Sequence, residues 1–370
     1  MIKKLLPLVF IICLMPSLLC PGALLASNGL TVLNSTAEID FPARLVFSIA
    51  AESDAAITDL RLHYMVDRME HARIMSEVYV RVTPATSVTT QWVWDMRKTG
   101  GLPPGSSVSY WWTVTDANNR VVKTALTRVQ IEDRRYNWQS ITEGEVTLYW
   151  YRGDDYFARE LMSATQGALA RLAENSGAEL ENPISIYIYA SAGDLRGSMI
   201  FPQEWTGGVA FTRYGIIAIG ISPGVSDMEW GKRVIAHELT HLVIHQLTFN
   251  PYSDLPTWLD EGLAMTAEGE LESVFATALY KAKYENQLIS VRSLASPFSA
   301  YIEESMLAYA QSYKIVEYLI DTYGREKMFE LLNTFRQGSG YDEALDRVYG
   351  FDMDGLNTMW QAAFQDVAVQ

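Results

Sequence analysis

The stretch VIAHELTHLVIHQL, residues 234–247, carries three of the five histidines of the chain at intervals of four residues. Its apolar residues recur at helical spacing, which predicts an α-helix over about residues 227–248. On such a helix His237 and His241 lie about 6 Å apart along the axis, whereas His245 lies about 12 Å from His237. Nitrogens that bind one zinc ion lie about 2.0–2.1 Å from it, so the three histidines cannot all serve one metal. The sequence therefore predicts His237 and His241 as metal ligands and a structural role for His245.

The third ligand is expected from a segment further along the chain. One class of zinc peptidases places a glycine and then a histidine after the second ligand, at the positions that Ile244 and Leu247 occupy here, so this solution is excluded. The segment PTWLDEGLA, residues 256–264, instead offers Asp260 and Glu261. A second helix packed antiparallel on the first could bring Glu261 beside the two histidines.

The motif His237-Glu238-x-x-His241, followed after 19 intervening residues by Glu261 in WLDEGLA, resembles the gluzincin metallopeptidases, the group of thermolysin and the zinc aminopeptidases. More narrowly, it is similar to the bacterial peptidase-MA-like family. The resemblance covers roughly residues 140–365. It implies one Zn²⁺ per chain, held by His237, His241 and Glu261. It also implies hydrolysis of peptide bonds by zinc-activated water, with Glu238 as the general base.

The same resemblance suggests residues that support the reaction. Gluzincins often use a downstream Tyr or His to stabilise the charge that develops on the carbonyl oxygen. The stretch YAQSYKIVEYL, residues 309–319, resembles the segment in which aminopeptidases place this Tyr, which implies Tyr309, with Tyr313 as the alternative. Core packing is the other interpretation of a Tyr at helical spacing. The histidine ligands also require hydrogen-bond acceptors, for which three carboxylates are available: Asp260, Glu268 and Glu270.

Substrate recognition in this fold is expected along an edge strand, where a peptide adds in extended form. The candidate is GGVAF, residues 207–211, because glycines permit close backbone approach. An ordinary hairpin is the alternative interpretation. The Gly-Ala-Met-Glu-Asn motif, with which aminopeptidases hold a free amino terminus, does not occur in the sequence. Its absence favours an endopeptidase or a specialised peptidase.

The N-terminal part of the chain has a different pattern. Short runs rich in β-branched and aromatic residues predict an all-β sandwich of immunoglobulin or fibronectin type over residues 27–133. Two of these runs, RLVFSIA at 44–50 and DLRLHYMV at 59–66, are expected to be separate strands. The charged EDRR at 132–135 is a plausible linker.

The remainder, residues 140–368, is predicted to be an α+β zincin-like peptidase domain with a helical C-terminal part over about 300–368. A capping box of Ser226 and Glu229 is expected to begin the metal-binding helix. Three further elements are predicted from periodicity and turn residues: a helix over 154–177, a strand over 184–190 and a hairpin over 207–222.

Residues 1–26 have the pattern of a secretory signal peptide, with two lysines, an apolar run and a small-residue region with cleavage near Ala26. A lipoprotein signal at Cys20 and an uncleaved membrane anchor are the alternatives. Both cysteines lie in this leader, so the mature chain would contain no disulfide. The protein is therefore predicted to be secreted or extracytoplasmic.

The formal net charge of −15 opposes binding to nucleic acid or to an anionic membrane. The expected partner is a peptide or protein substrate, with no nucleic acid and no stable membrane insertion after signal cleavage. Two other functions remain open at this point. One is a cell-envelope binding or scaffold protein with a structural zinc fold, and the other is hydrolysis of a non-peptide acyl bond. The sequence leaves the oligomeric state open.

Overall fold

The computed structural model describes residues 25–27, 29–204, 206–299 and 301–366. The predicted signal peptide over residues 1–26 lies outside the described residues except for Leu25 and Ala26, which belong to the first strand. Within the described part of the chain, no helix combines the length and the apolar character that a membrane crossing requires.

The N-terminal region is built from strands in one antiparallel sheet. The strands are β1 (Leu25–Ser27), β2 (Leu30–Asp40), β3 (Arg44–Asp67), β4 (Ser76–Tyr79), β5 (Ala85–Asp95), β6 (Ser107–Asp116), β7 (Val121–Lys123) and β8 (Thr127–Gln130). The first half of β3 pairs with β2 and β5, and its second half pairs with β4 and β6. Buried aromatic side chains such as Phe47, Tyr110 and Trp112 fill its core. The sheet-rich character of this region is confirmed, whereas the immunoglobulin or fibronectin type stays a prediction.

The two predicted strands at 44–50 and 59–66 are in fact one strand, β3, so this prediction was wrong. The intervening residues 51–58 contain neither Gly nor Pro, so nothing in them forces a turn. The chain stays extended and absorbs the irregularity as a register shift between Glu52 and Ile57.

A second sheet begins after residue 138 and has the strand order β12-β13-β11-β10-β9. Its strands are β9 (Gln139–Glu143), β10 (Val146–Trp150), β11 (Ile184–Tyr189), β12 (Gly208–Phe211) and β13 (Ile216–Gly220). Strands β10, β11 and β13 are parallel to one another, and β12 is an antiparallel edge strand joined to β13 by a short turn. The predicted strand over 184–190 and the predicted hairpin over 207–222 are therefore present.

Helices make up most of the remaining chain. They are α1 (Asp155–Ser176), α2 (Ala192–Arg196), α3 (Val225–Thr248), α4 (Thr257–Glu268), α5 (Ser273–Tyr284), α6 (Val291–Leu294), α7 (Ile302–Tyr323), α8 (Arg325–Arg336), α9 (Tyr341–Tyr349) and α10 (Met353–Asp366). The predicted helix over 154–177 is α1, with Asp154 as its N-cap and Gly177 in the left-handed conformation at its end. The predicted capping box is wrong, because α3 begins at Val225 and Ser226 lies inside it.

Helix α3, which carries His237 and His241, lies in the core between the second sheet and α4. Helix α4 in turn packs on α7 at a very short distance, since a Cβ atom on Gly262 would lie 2.5 Å from the carbonyl oxygen of Ser312. Only glycine permits this approach. Glu261 is the preceding residue on α4.

The segment between the two sheets is not a loose linker. Asp133 is buried, accepts a hydrogen bond from the Tyr189 hydroxyl at 2.9 Å and pairs with Arg135 at 2.6 Å. The indole of Trp138 donates to the Asp133 carbonyl. The EDRR segment, which the sequence suggested as a linker, is thus packed against β11 and holds the two sheets together.

Candidate metal centre

The two histidines of the HELTH segment meet at their Nε2 atoms. They lie one turn apart on α3, and the two Nε2 atoms are 3.2 Å from each other. Both side chains are largely buried, because the apolar residues on either side of them pack into the core. His237 and His241 therefore face one point, as helix geometry predicts for residues four apart.

Helix α4 brings Glu261 to the same point. Its Oε2 lies 3.5 Å from Nε2 of His237 and 3.5 Å from Nε2 of His241. Burial acts to raise the pKa of this carboxyl, but the two histidines outweigh burial and lower it. Of the two carboxylates that the sequence offered as third ligand, Glu261 is thus the one that completes the cluster with both Nε2 atoms.

Two further carboxylates orient the imidazole rings from behind. His237 Nδ1 donates a 2.8 Å hydrogen bond to Glu268, and His241 Nδ1 lies 3.0 Å from Asp260. Burial acts to lower the pKa of His237, but the neighbouring carboxylates of Glu261 and Glu268 raise it to about 9. Of the three candidate acceptors, Asp260 and Glu268 are in place, whereas Glu270 is exposed to solvent.

Arg233 extends this arrangement in a way that the sequence analysis missed. Its guanidinium lies 3.2 Å from Glu268 and also pairs with Glu272. Arg233 precedes His237 by four residues, so both lie on one face of α3, and that spacing was the available signal. The ion pair fixes the carboxylate that orients the ring of His237.

Glu238 is buried beside the two histidines. Burial raises the pKa of its carboxyl above the usual range, and the backbone N–H of Ala210 donates a hydrogen bond to it. Ala210 belongs to the edge strand β12, so this strand lies directly against Glu238. The approach requires Gly208, since a Cβ atom there would lie 2.9 Å from both Glu238 Oε1 and Val234 Cγ1.

We expect Gly208→Ala to lower kcat/KM by between about tenfold and a hundredfold, because the added methyl group displaces β12 or Glu238 by a fraction of an ångström to an ångström. Peptide hydrolysis under saturating zinc measures this. Gly340→Ala is the matched control, since a Cβ atom at that residue has open space around it. Equal losses in the two variants would show that a general effect of the substitution, and not the contact with Glu238, is responsible.

The three clustered side chains open into a cleft of about 900 Å³. Tyr309 on α7 lines this cleft, and burial together with the nearby Glu261 raises the pKa of its hydroxyl. Tyr313, the alternative, is buried one turn further along and is not among the described residues that line the cleft. His245 lines the cleft but lies outside the cluster of Nε2 and carboxylate atoms.

The cluster fits a divalent metal ion. Glu261 Oε2 is buried, and within the described residues it has no hydrogen-bond partner, which is costly unless a cation compensates. The nearest Nε2 and carboxylate oxygen atoms all lie within 4.8 Å of one another. Two imidazole nitrogens and one carboxylate oxygen are the ligand set of several catalytic zinc sites, which leave a fourth position open.

Comparisons with solved structures give only distant similarity. OgpA from Akkermansia muciniphila is 13% identical, and the match covers 29% of this chain and 32% of OgpA with a TM-score of 0.22, so this chain spans about a third of its length. A two-domain M1 zinc metallopeptidase bound to L-arginine is 12% identical over 91% of this chain and 95% of that chain, with a TM-score of 0.37. Legionella pneumophila aminopeptidase A, solved with aspartic acid, is 12% identical over 90% of this chain and 50% of that chain, with a TM-score of 0.39. At these TM-scores the similarities carry no argument about function.

A family model is more informative. No curated protein matches the chain. The model of the peptidase MA superfamily matches residues 164–366, which are 203 of the 370 residues and include the whole candidate metal centre. Because this match extends over more than half of the sequence, the protein belongs to the peptidase MA superfamily.

Proposed function

We propose that the protein is a secreted, zinc-dependent metallopeptidase of the gluzincin type that hydrolyses peptide bonds. The observation that carries this proposal is the position of Glu261 Oε2, which is buried opposite the Nε2 atoms of His237 and His241. Secretion rests on the leader pattern of residues 1–26.

Zinc at such a site supplies Lewis acidity, which makes a water molecule acidic near neutral pH and polarises a substrate carbonyl. His237, His241 and Glu261 would hold the ion. Asp260 and Glu268 keep the two imidazole rings in the orientation in which each Nε2 faces the centre.

Glu238 is the proposed general base. Its carboxylate lies at the wall of the cleft beside the ligands, where it can accept a proton from the attacking water and pass it to the leaving nitrogen. Burial raises the pKa of this carboxyl, which makes it a better proton acceptor than an exposed glutamate. The hydrogen bond from Ala210 keeps the side chain from rotating away.

The edge strand β12 is the proposed site for the substrate main chain. It pairs with β13 along one edge, and its residues Gly208, Val209 and Ala210 line the cleft. A peptide that adds to β12 in extended form would pass directly over Glu238. This position favours cleavage within a chain, in agreement with the missing motif for a free amino terminus.

Tyr309 is the proposed donor to the carbonyl oxygen as negative charge develops on it. We expect Tyr309→Phe to lower kcat by about a hundredfold to a thousandfold while KM changes little, because the lost hydrogen bond forms mainly in the transition state. Steady-state kinetics with one efficiently cleaved peptide measure kcat and KM separately. Tyr313→Phe, which removes a hydroxyl away from the cleft, should leave kcat within about twofold; a larger loss in this control than in Tyr309→Phe would reverse the two assignments.

The test of the function is cleavage-site profiling with a broad peptide library. The protein without residues 1–26 is loaded with zinc, and metal content is measured alongside hydrolysis. We expect about one zinc per chain, with cleavage that a chelator abolishes and added zinc restores. Stoichiometric zinc without cleavage of any peptide would overturn the proposal in favour of a binding or scaffold role. Turnover of non-peptide acyl compounds alone would overturn the substrate class.

A further inference from the structure

Three large apolar side chains are exposed around the mouth of the cleft. The exposed fractions are 82% for Phe201, 41% for Trp230 and 53% for Ile302. All three line the same cleft as His237 and Glu238. Neighbouring exposed side chains of this size are uncommon on a soluble surface and generally mark a place where a partner or ligand binds.

The backbone of Phe201 is also unusual. Its φ angle is 52°, in the left-handed region that bulky residues rarely adopt and that glycine adopts without strain. Neither burial nor backbone preference therefore explains a phenylalanine at this position. Unfavourable backbone conformations of this kind are found mainly where the side chain has a functional task.

The loop that carries Phe201 is held on both sides. Ile200 packs against Gly101 in the turn between β5 and β6, where a Cβ atom would lie 2.9 Å from Ile200 Cγ1. Arg135 donates a 2.8 Å hydrogen bond to the carbonyl of Gly197. The N-terminal sheet and the segment that follows it thus support the loop and present Phe201 to the cleft.

Trp230 lies on the neighbouring wall, beside the edge strand. A Cβ atom on Gly207 would lie 3.1 Å from the Trp230 ring, so the indole covers the start of β12. Trp230 therefore borders the strand along which the substrate main chain is proposed to run, and Phe201 lines the same cleft. A substrate side chain that points away from β12 would enter the cleft that both aromatic side chains line.

The charge of the cleft indicates which kind of substrate side chain it would accept. Among the described residues that line it, none is Lys or Arg, and five carry carboxylates: Glu238, Asp260, Glu261, Glu268 and Glu272. Arg233, a cation beside these residues, is paired with Glu268 and Glu272. Apart from the proposed metal ion, an acidic substrate residue would therefore meet mainly other carboxylates. An apolar residue instead removes exposed aromatic surface from water, which is favourable.

We propose that Phe201 and Trp230 form an apolar subsite that selects a bulky apolar side chain next to the peptide bond that is cleaved. This inference rests on the proposed peptidase function and names the substrate preference of that site. In this arrangement the N-terminal sheet has a positioning role, because Gly101 and Arg135 hold the loop of Phe201.

The first test is the cleavage profile of the zinc-loaded wild-type protein and of Phe201→Gly. We expect the wild type to cleave peptides with Leu or Phe at one position beside the cleaved bond at least about tenfold faster than peptides with Ala there. In Phe201→Gly this preference should fall to about twofold or less. Because glycine relieves the left-handed strain, its unfolding midpoint should not fall below that of the wild type.

The matched control is Asn286→Gly. Asn286 also has a positive φ angle, 54°, and is exposed, but it does not line the cleft. Its cleavage profile should equal that of the wild type. A Phe201→Leu variant, which restores an apolar side chain, should recover most of the preference.

A second measurement does not depend on turnover. In a Glu238→Gln background, equilibrium binding of a Leu-containing peptide should be about tenfold tighter than that of its Ala counterpart, and Phe201→Gly should remove this difference. An unchanged preference in Phe201→Gly, in a protein that cleaves peptides, would overturn this inference and leave the peptidase function intact. If the wild type with zinc cleaves no peptide, the proposed function and this inference fall together.

Discussion

Replacement of Glu238 by Gln is expected to lower kcat by about 10²- to 10⁴-fold, the range that positioned proton transfer contributes. Gln has nearly the same size and can still accept the hydrogen bond from Ala210, so the wall of the cleft is preserved. It cannot accept a proton from water.

Zinc content and the unfolding midpoint distinguish this loss from a structural one. Both should stay near the wild-type values in Glu238→Gln, since the residue is not among the three proposed ligands. Glu270→Gln is a suitable control, because Glu270 is an exposed carboxylate shortly after α4. Hydrolysis by Glu238→Gln at the wild-type rate would mean that another group accepts the proton.

Replacement of Glu261 by Ala is expected to abolish hydrolysis through loss of the metal. Removing a residue that only supports a histidine ligand typically lowers metal affinity by about 10- to 100-fold. Removal of the carboxylate that faces both Nε2 atoms should lower metal affinity by more than this range. Only two protein ligands, His237 and His241, would remain, whereas catalytic zinc sites have three.

Competition with a chromophoric chelator measures this affinity directly, without any substrate. Asp260→Asn and Glu268→Gln should each lower the zinc affinity by about 10- to 100-fold. Their affinities should therefore lie between those of Glu261→Ala and the wild type. Glu270→Ala should bind zinc like the wild type. If Asp260→Asn weakened binding more than Glu261→Ala did, Asp260 would be the third ligand and the assignment from the structure would fail.

The spacing of His237, Glu238 and His241 could be interpreted from the sequence because a helix fixes it locally. Residues four apart on any straight helix share a face, whatever surrounds the helix. His245 then lies too far from His237 along the axis for all three histidines to bind one metal ion. The third ligand was less certain, since both Asp260 and Glu261 were available. In the structure Glu261 Oε2 faces both Nε2 atoms, whereas Asp260 lies beside Nδ1 of His241. Helix α4, which carries both carboxylates, also packs closely on α7 through Gly262 and Ser312, which are fifty positions apart.

Tertiary contacts override local signals in two places. The EDRR segment is charged, yet Asp133 is buried because Arg135 and Tyr189 satisfy its carboxylate. Strand β3 continues through a segment that looked like a boundary, because its partners β5 and β6 extend the pairing on either side of the bulge. The length of a strand depends on the neighbouring strands with which it can pair, as well as on its own sequence.

By itself, the sequence determined the helix over the HELTH segment, because this depends on helical periodicity. It also predicted two histidine ligands and the base beside them, through the spacing of the motif and its resemblance to the gluzincins. The tertiary structure decided which acidic residue orients each imidazole, placing Glu268 behind His237 and Asp260 behind His241. It also decided that Phe201 and Trp230 border the same cleft. These are contacts between segments distant in the chain, and they exist only after the two sheets and the helices have packed together.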